Sequence, residues 1–200
     1  VGSFTALAYV NSIFGGLIAD RFIGYDKAIL AGATLLCIGY TLLTFALDHN
    51  IFILGLAIVT VGTGMLKPNI SSMLSMIYQK TPEKKEVGYT LFYVGIYFGA
   101  IGGSFLGGFI KAYLGWHAVF ASAAIGLAIE FITFFVGKRR YQLHDSRKIA
   151  HNKSKLFKAF IAIIFLIVTA FCGIHNKTMS DIFFTLIGLL SLAFLIYNIK

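Results

Sequence analysis

Two hundred residues, 58% of them hydrophobic and 12% charged, with a mean hydropathy of +0.84, are too apolar for a water-soluble domain, since ordinary globular chains carry about twice that share of charge. At about 20 residues per membrane-spanning helix, this length holds about seven spans and excludes a separate soluble domain. The net charge of +9 is local rather than global: Lys138, Arg139, Arg140, Arg147, Lys148, Lys153, Lys155 and Lys158 accompany the single acid Asp145, a pattern that reads as a cytoplasmic loop touching anionic headgroups before it reads as a nucleic-acid arm.

Apolar runs predict spans near 3–19, 28–47, 51–78, 87–110, 117–136, 156–174 and 180–198. The chain opens at Val1 inside an apolar stretch, without a methionine, a basic n-region or a cleavage site, which is not a signal peptide and leads us to expect a piece of a longer chain. Arg21 and Lys27 follow the first span, the next loop (48–50) has no Lys or Arg, and Lys80, Lys84 and Lys85 follow the third. Only Lys111 follows the fourth, then comes the basic run, and Lys177 follows the sixth. Basic loops favour the cytoplasm, so loops one, three and five are expected inside and the first residue outside.

The third span carries Gly62, Gly64 and Pro68, and the fourth carries Gly95, Gly99, Gly103 and Gly107 at four-residue spacing on one helical face. Such a smooth stripe suits close helix packing. The last two predicted spans have fewer glycines and no embedded charge, and are expected to be lipid-facing and peripheral.

Lys67 is the residue most suggestive of function. It lies sixteen residues beyond Ile51, about 24 Å along a helix, well inside the membrane. An intramembrane ammonium costs at least about 2.5 kcal/mol and therefore faces a cavity or a partner. Pro68 frees a backbone carbonyl one turn earlier and Asn69 adds an amide, both suited to a polar cavity, although an ion pair between helices would also explain the lysine. Glu130 in the fifth predicted span is either a proton site or a partner for the basic end.

Cys37 and Cys172 stand alone, and the five histidines lack ligand spacing, so neither a metal site nor a disulfide is expected. Gly62-x-Gly64-x-x-Lys67 has no preceding strand for a phosphate loop, and Gly103-Ser104 lacks the second glycine of a nucleophile elbow. An enzyme is not expected.

Gly16-x-x-x-Asp20-Arg21 followed by Gly24 resembles the loop motif between the second and third helices of the major facilitator superfamily. The stretch from Gly15 to Gly39, with Ala28-Ile29 and Ala33, resembles the version in the proton-dependent oligopeptide transporter family. Residues 62–71, with Lys67, Pro68, Asn69 and Ser71, are similar to that family's fourth-helix signature G-x-G-x-x-K-P-N-x-S, and Tyr78 fits its closing tyrosine. Phe92-Tyr93-Val94-Gly95-Ile96 begins its fifth-helix motif, F-Y-x-x-I-N-x-G, with Tyr97 in place of the asparagine and the bulky Phe98 after it.

The resemblance implies an all-α integral membrane protein, a partial N-terminal bundle of the superfamily with about seven transmembrane helices. Residues 1–141 correspond to helices two to six, 142–155 to a basic cytoplasmic loop, and 156–200 to an accessory helix pair inserted between the two halves. The implied activity is proton-coupled di- or tripeptide symport in the cell's inner (plasma) membrane, with a proton gradient as driving force, no cofactor, and small peptides, protons and membrane lipid as partners. The resemblance assigns peptide recognition and proton coupling to Lys67 and places Tyr9 in the peptide site, with Asn69 beside the lysine and Tyr97 at the altered position. Gly16, Asp20, Arg21 and Gly24 are the implied gating loop, and Pro68, Gly95, Gly99, Gly103 and Gly107 the packing residues. The first helix with its E-x-x-E-R motif and the C-terminal six-helix half have no counterpart here, so the chain alone is expected not to transport. The alternative is a non-transporting remnant, or a subunit that joins a separately encoded remainder.

Overall fold

Apolar segments of this length form helices because hydrocarbon offers no other partner for backbone N–H and C=O groups. A computed structural model describes residues 2–140, 153–176 and 185, and these residues are helical almost throughout. Helix α1 (Gly2–Ile18) runs on through a π-helical turn, Ala19–Ile23; α2 spans Tyr25–Phe45, α3 His49–Ile77, α4 Lys85–Arg140 and α5 Lys153–His175. All five are long and apolar enough to cross a membrane. The predicted span 180–198 and residues 141–152 of the basic loop lie outside the described residues.

Helix α4 is two spans rather than one. Gly115 has φ 80° and ψ −179°, a backbone conformation that side chains resist, and it separates an arm at 85–114 from an arm at 116–140. The Tyr89 hydroxyl on the first arm donates to the Ser71 carbonyl near the end of α3, 2.9 Å away. Just past Gly115, His117 Nδ1 lies 2.7 Å from the Thr44 carbonyl at the end of α2. Lys138, at the far end of the second arm, pairs with Asp26 at the start of α2, 2.7 Å apart. The two arms therefore run in opposite directions, as the sequence predicts, but the expected loop over 111–116 shrinks to a turn at one glycine.

Helices α1, α2 and α3 form the centre of the bundle, and α3 supplies the largest share of its core, including Ala57, Val61 and Met65. Proline 68 has no N–H, so the Gly64 carbonyl one turn earlier lacks its helical donor. That carbonyl lies against Gly15 of α1, where any Cβ would collide with it. Beside this contact the buried Asn69 amide donates to the carbonyls of Gly15, at 3.3 Å, and Met65. One layer away Asn11 Nδ2 donates to Thr60 Oγ1 at 3.2 Å, and the Thr60 hydroxyl donates in turn to the Ala57 carbonyl. Bonds of this kind between helices in apolar surroundings are worth about 0.6–2 kcal/mol each.

Beyond its basic first turns helix α5 is apolar all round, but its sides are not equivalent. Ala159, Leu166 and Ala170 recur at helical spacing and are buried in the α1–α3 core, while Phe157, Phe160, Ile164 and Phe165 stay exposed. A helix expected to be peripheral and lipid-facing thus also closes one flank of the core. The first arm of α4 behaves differently: its one buried residue is Gly88, under the ring of Tyr78.

Candidate functional site

A cavity of about 480 Å³ opens between α1, α2, α3 and the second arm of α4. Its size falls within the roughly 300–1,000 Å³ range of small-molecule sites. Helix α1 contributes Phe4, Thr5, Ala8, Tyr9 and Ser12, and α3 contributes Val59, Thr63 and Lys67. Spacings of three and four residues put each set on one helical face, so the two stripes confront each other. Leu36 and Tyr40 of α2 form the floor with Ala123 and Leu127 of the α4 second arm.

Most of the wall is apolar, and its polar groups are few. The hydroxyls of Thr5, Tyr9, Ser12, Tyr40 and Thr63 can donate and accept, and the Lys67 ammonium is the cavity's charged lining group. Ser12 already donates to the Ala8 carbonyl at 2.8 Å, which leaves its lone pairs for a guest. Lys67 lies ten residues before Ile77 and eighteen after His49, so about 15 Å and 27 Å of helix separate it from the two ends of α3. An ammonium at that depth, over apolar walls, attracts a carboxylate.

Of the residues singled out in the sequence, Lys67 and Tyr9 meet in this cavity. Asn69 does not line it; it is fully buried on the opposite side of α3, holding α1. Tyr97 lies on the first arm of α4, 66% exposed and away from the lining residues, with Phe98 75% exposed beside it. The glycine stripe on the same arm is open among the described residues: none brings a heavy atom within 4 Å of a Cβ placed on Gly95, Gly99 or Gly103, and Gly107 meets only Val119, at 4.0 Å. Pro68 is accommodated inside α3 without a break.

The loop motif folds as a compact turn. Asp20 and Arg21 are exposed in the π-helical segment, and Gly24, with φ 86°, returns its N–H to the Ala19 carbonyl at 2.9 Å. Gly16 has no neighbour within 4 Å of a Cβ placed on it, so the close packing falls to Gly15. Glu130 is exposed on the α4 second arm.

Tyr40, the Asn11–Thr60 pair and the Asp26–Lys138 pair were not legible in the sequence. Tyr40 repeats Leu36 one turn on, a spacing that marks a shared face but not what the face lines. Asp26 and Lys138 stand 112 positions apart in the numbering and join only once the arms of α4 fold back.

Comparison with known proteins places this arrangement. Residues 26–194 match the POT family model. A di-/tripeptide transporter of Lactococcus lactis subsp. cremoris is 32% identical over 141 residues, covering 70% of this chain and 28% of the relative. Dipeptide and tripeptide permease A of Escherichia coli (strain K12) is 30% identical over 181 residues, covering 89% of this chain and 36% of the permease. Among solved structures, a bacterial homologue of the human drug peptide transporters superposes with a TM-score of 0.80 at 23% identity, over 98% of this chain and 45% of that one. A peptide transporter crystallised with alafosfalin gives 0.75 at 26% identity, over 98% of this chain and 41% of that one. The chain thus spans less than half the length of these relatives. It is a multi-pass membrane protein, not an enzyme, and it belongs to the POT family.

Proposed function

We propose that this chain supplies the N-terminal share of a proton-coupled di- or tripeptide symporter of the inner (plasma) membrane, with Lys67 and Tyr9 as its contribution to the peptide site. The observation that carries the reading is the convergence of Tyr9 from α1 and Lys67 from α3 on one cavity. A zwitterionic peptide presents a terminal carboxylate to Lys67, and hydroxyls around it accept from the peptide's N–H groups. The family resemblance assigns proton coupling to the same lysine, the charged group that lines the cavity. In this reading residues 1–141 are part of one bundle, 142–155 a cytoplasmic loop and 156–200 an accessory pair, and Gly16, Asp20, Arg21 and Gly24 form a gating turn.

Alternating access rocks two bundles about a site that both help to form. The cavity here is walled by four helical segments from one bundle, so the chain alone inserts and moves no peptide. The glycine stripe on the first arm of α4, which meets almost no other atom among the described residues, is the face on which the rest of such a transporter would pack.

The test is co-expression of this chain with polypeptides carrying the first helix and the C-terminal half of the Lactococcus lactis relative, followed by reconstitution into vesicles. An imposed proton gradient is expected to drive accumulation of a labelled dipeptide, competed by unlabelled di- and tripeptides but not by free amino acids. The chain reconstituted alone is expected to give none. Gradient-independent uptake, or equal competition by amino acids, would overturn the reading.

A further inference from the structure

Helix α5 leaves an apolar groove of about 430 Å³ where it crosses α1. On the α1 side Leu7, Phe14 and Leu17 continue, in helical register, to Arg21, which lines the groove's end. On the α5 side Ala162, Phe165 and Thr169 line it, and the exposed Lys158 lies one turn before Ala162 on the same stripe. Because α1 and α5 run in opposite directions across the membrane, both stripes finish in a cation at the same end. That end is the cytoplasmic one, since the basic run lies there.

The dimensions suit one leaflet. From Leu7 to Arg21 is fourteen residues, about 21 Å of helix, which exceeds the roughly 15 Å of hydrocarbon in half a bilayer. A full acyl chain can therefore lie along the groove while its headgroup stays level with Arg21 and Lys158. Arginine presents a fork that matches phosphate oxygens, and lysine adds a point charge.

We infer that the α1–α5 groove is a binding site for an anionic phospholipid of the cytoplasmic leaflet, its phosphate held by Arg21 and Lys158 and an acyl chain laid between the helices. The inference is independent of the peptide-transport reading. It gives the loop motif a lipid contact, so that occupancy of the groove bears directly on the turn following α1.

Photolabelling decides the matter. The full 200-residue chain is reconstituted with phosphatidylglycerol carrying a diazirine on its acyl chain, or with matched phosphatidylcholine, and crosslinked peptides are mapped. Phosphatidylglycerol is expected to label residues 7–22 and 162–169 at least about fivefold more than phosphatidylcholine. Arg21→Gln and Lys158→Gln are each expected to lower that labelling about fivefold, the worth of one basic residue at a membrane surface. Val10→Trp, which fills the groove, is expected to remove it while the charges remain. Equal labelling by the two lipids would overturn the inference, as would labelling confined to other faces or protein–protein crosslinks showing a second copy in the groove. The lipid comparison on the unaltered chain stands even where a variant fails to fold.

Discussion

Lys67 and Tyr9 reach one cavity because each occupies the stripe of its helix that lines it, and neither side chain is consumed in holding helices together. Asn69, two residues beyond Lys67, points the other way and is consumed in that fashion. The lysine was legible in the sequence because an ammonium deep in the membrane is costly. Tyr40 and the Asn11–Thr60 pair were not, because neutral polar side chains are inexpensive in apolar helices and their partners sit on other elements. Tyr97 does not line the cavity of this chain, but the resemblance implies a peptide-contacting asparagine at its position, so Tyr97→Asn in the assembled transporter is expected to lower KM for a dipeptide about three- to tenfold, the worth of one added hydrogen bond. An unchanged KM would assign Tyr97 to the lipid-facing surface. The Asp26–Lys138 pair is largely buried at the foot of α2. Asp26→Asn leaves Lys138 without its counter-charge and is expected to cost about 3 kcal/mol in thermal unfolding, with much of the loss restored by exchanging the two residues. A melting temperature unmoved by Asp26→Asn would show that the pair holds nothing.

At the scale of elements, hydropathy and helix-breaking residues located the first six spans closely, since the run lengths match what a bilayer requires. What they missed follows from neighbours. Gly115 turns the chain within one residue because its φ of 80° suits glycine, and so the arms of α4 extend beyond the predicted spans. The glycine stripe on the first arm suggested close packing, but no described helix lies against it. Helix α5 has a packed face that its uniform composition hides, visible only as Ala159 and Ala170 at helical spacing. Orientation rests on the loops: Leu47 is 91% exposed in a turn without Lys or Arg, and Glu83 is exposed beside Lys84 and Lys85. With Cys37 and Cys172 replaced by alanine, Leu47→Cys is expected to react with a membrane-impermeant thiol reagent from outside, and Glu83→Cys only after permeabilisation. Reaction of both from one side would reverse or break the topology.

The described residues form a packed α1–α2–α3 centre flanked by α5 and the second arm of α4, and the first arm meets that centre near Ser71 and Tyr78. Family membership was legible from three motifs in order, and the fold followed from it, whereas the partner of the first arm lies beyond what local sequence can state. We propose that Lys67 couples peptide to proton from within the cavity that it shares with Tyr9. The most direct test is proton-driven uptake of a labelled dipeptide by the assembled transporter carrying Lys67→Ala, with membrane insertion checked in parallel. Normal insertion is expected, with uptake at the level of empty vesicles. Full gradient-driven uptake in that variant would contradict the proposal and reduce Lys67 to a structural residue.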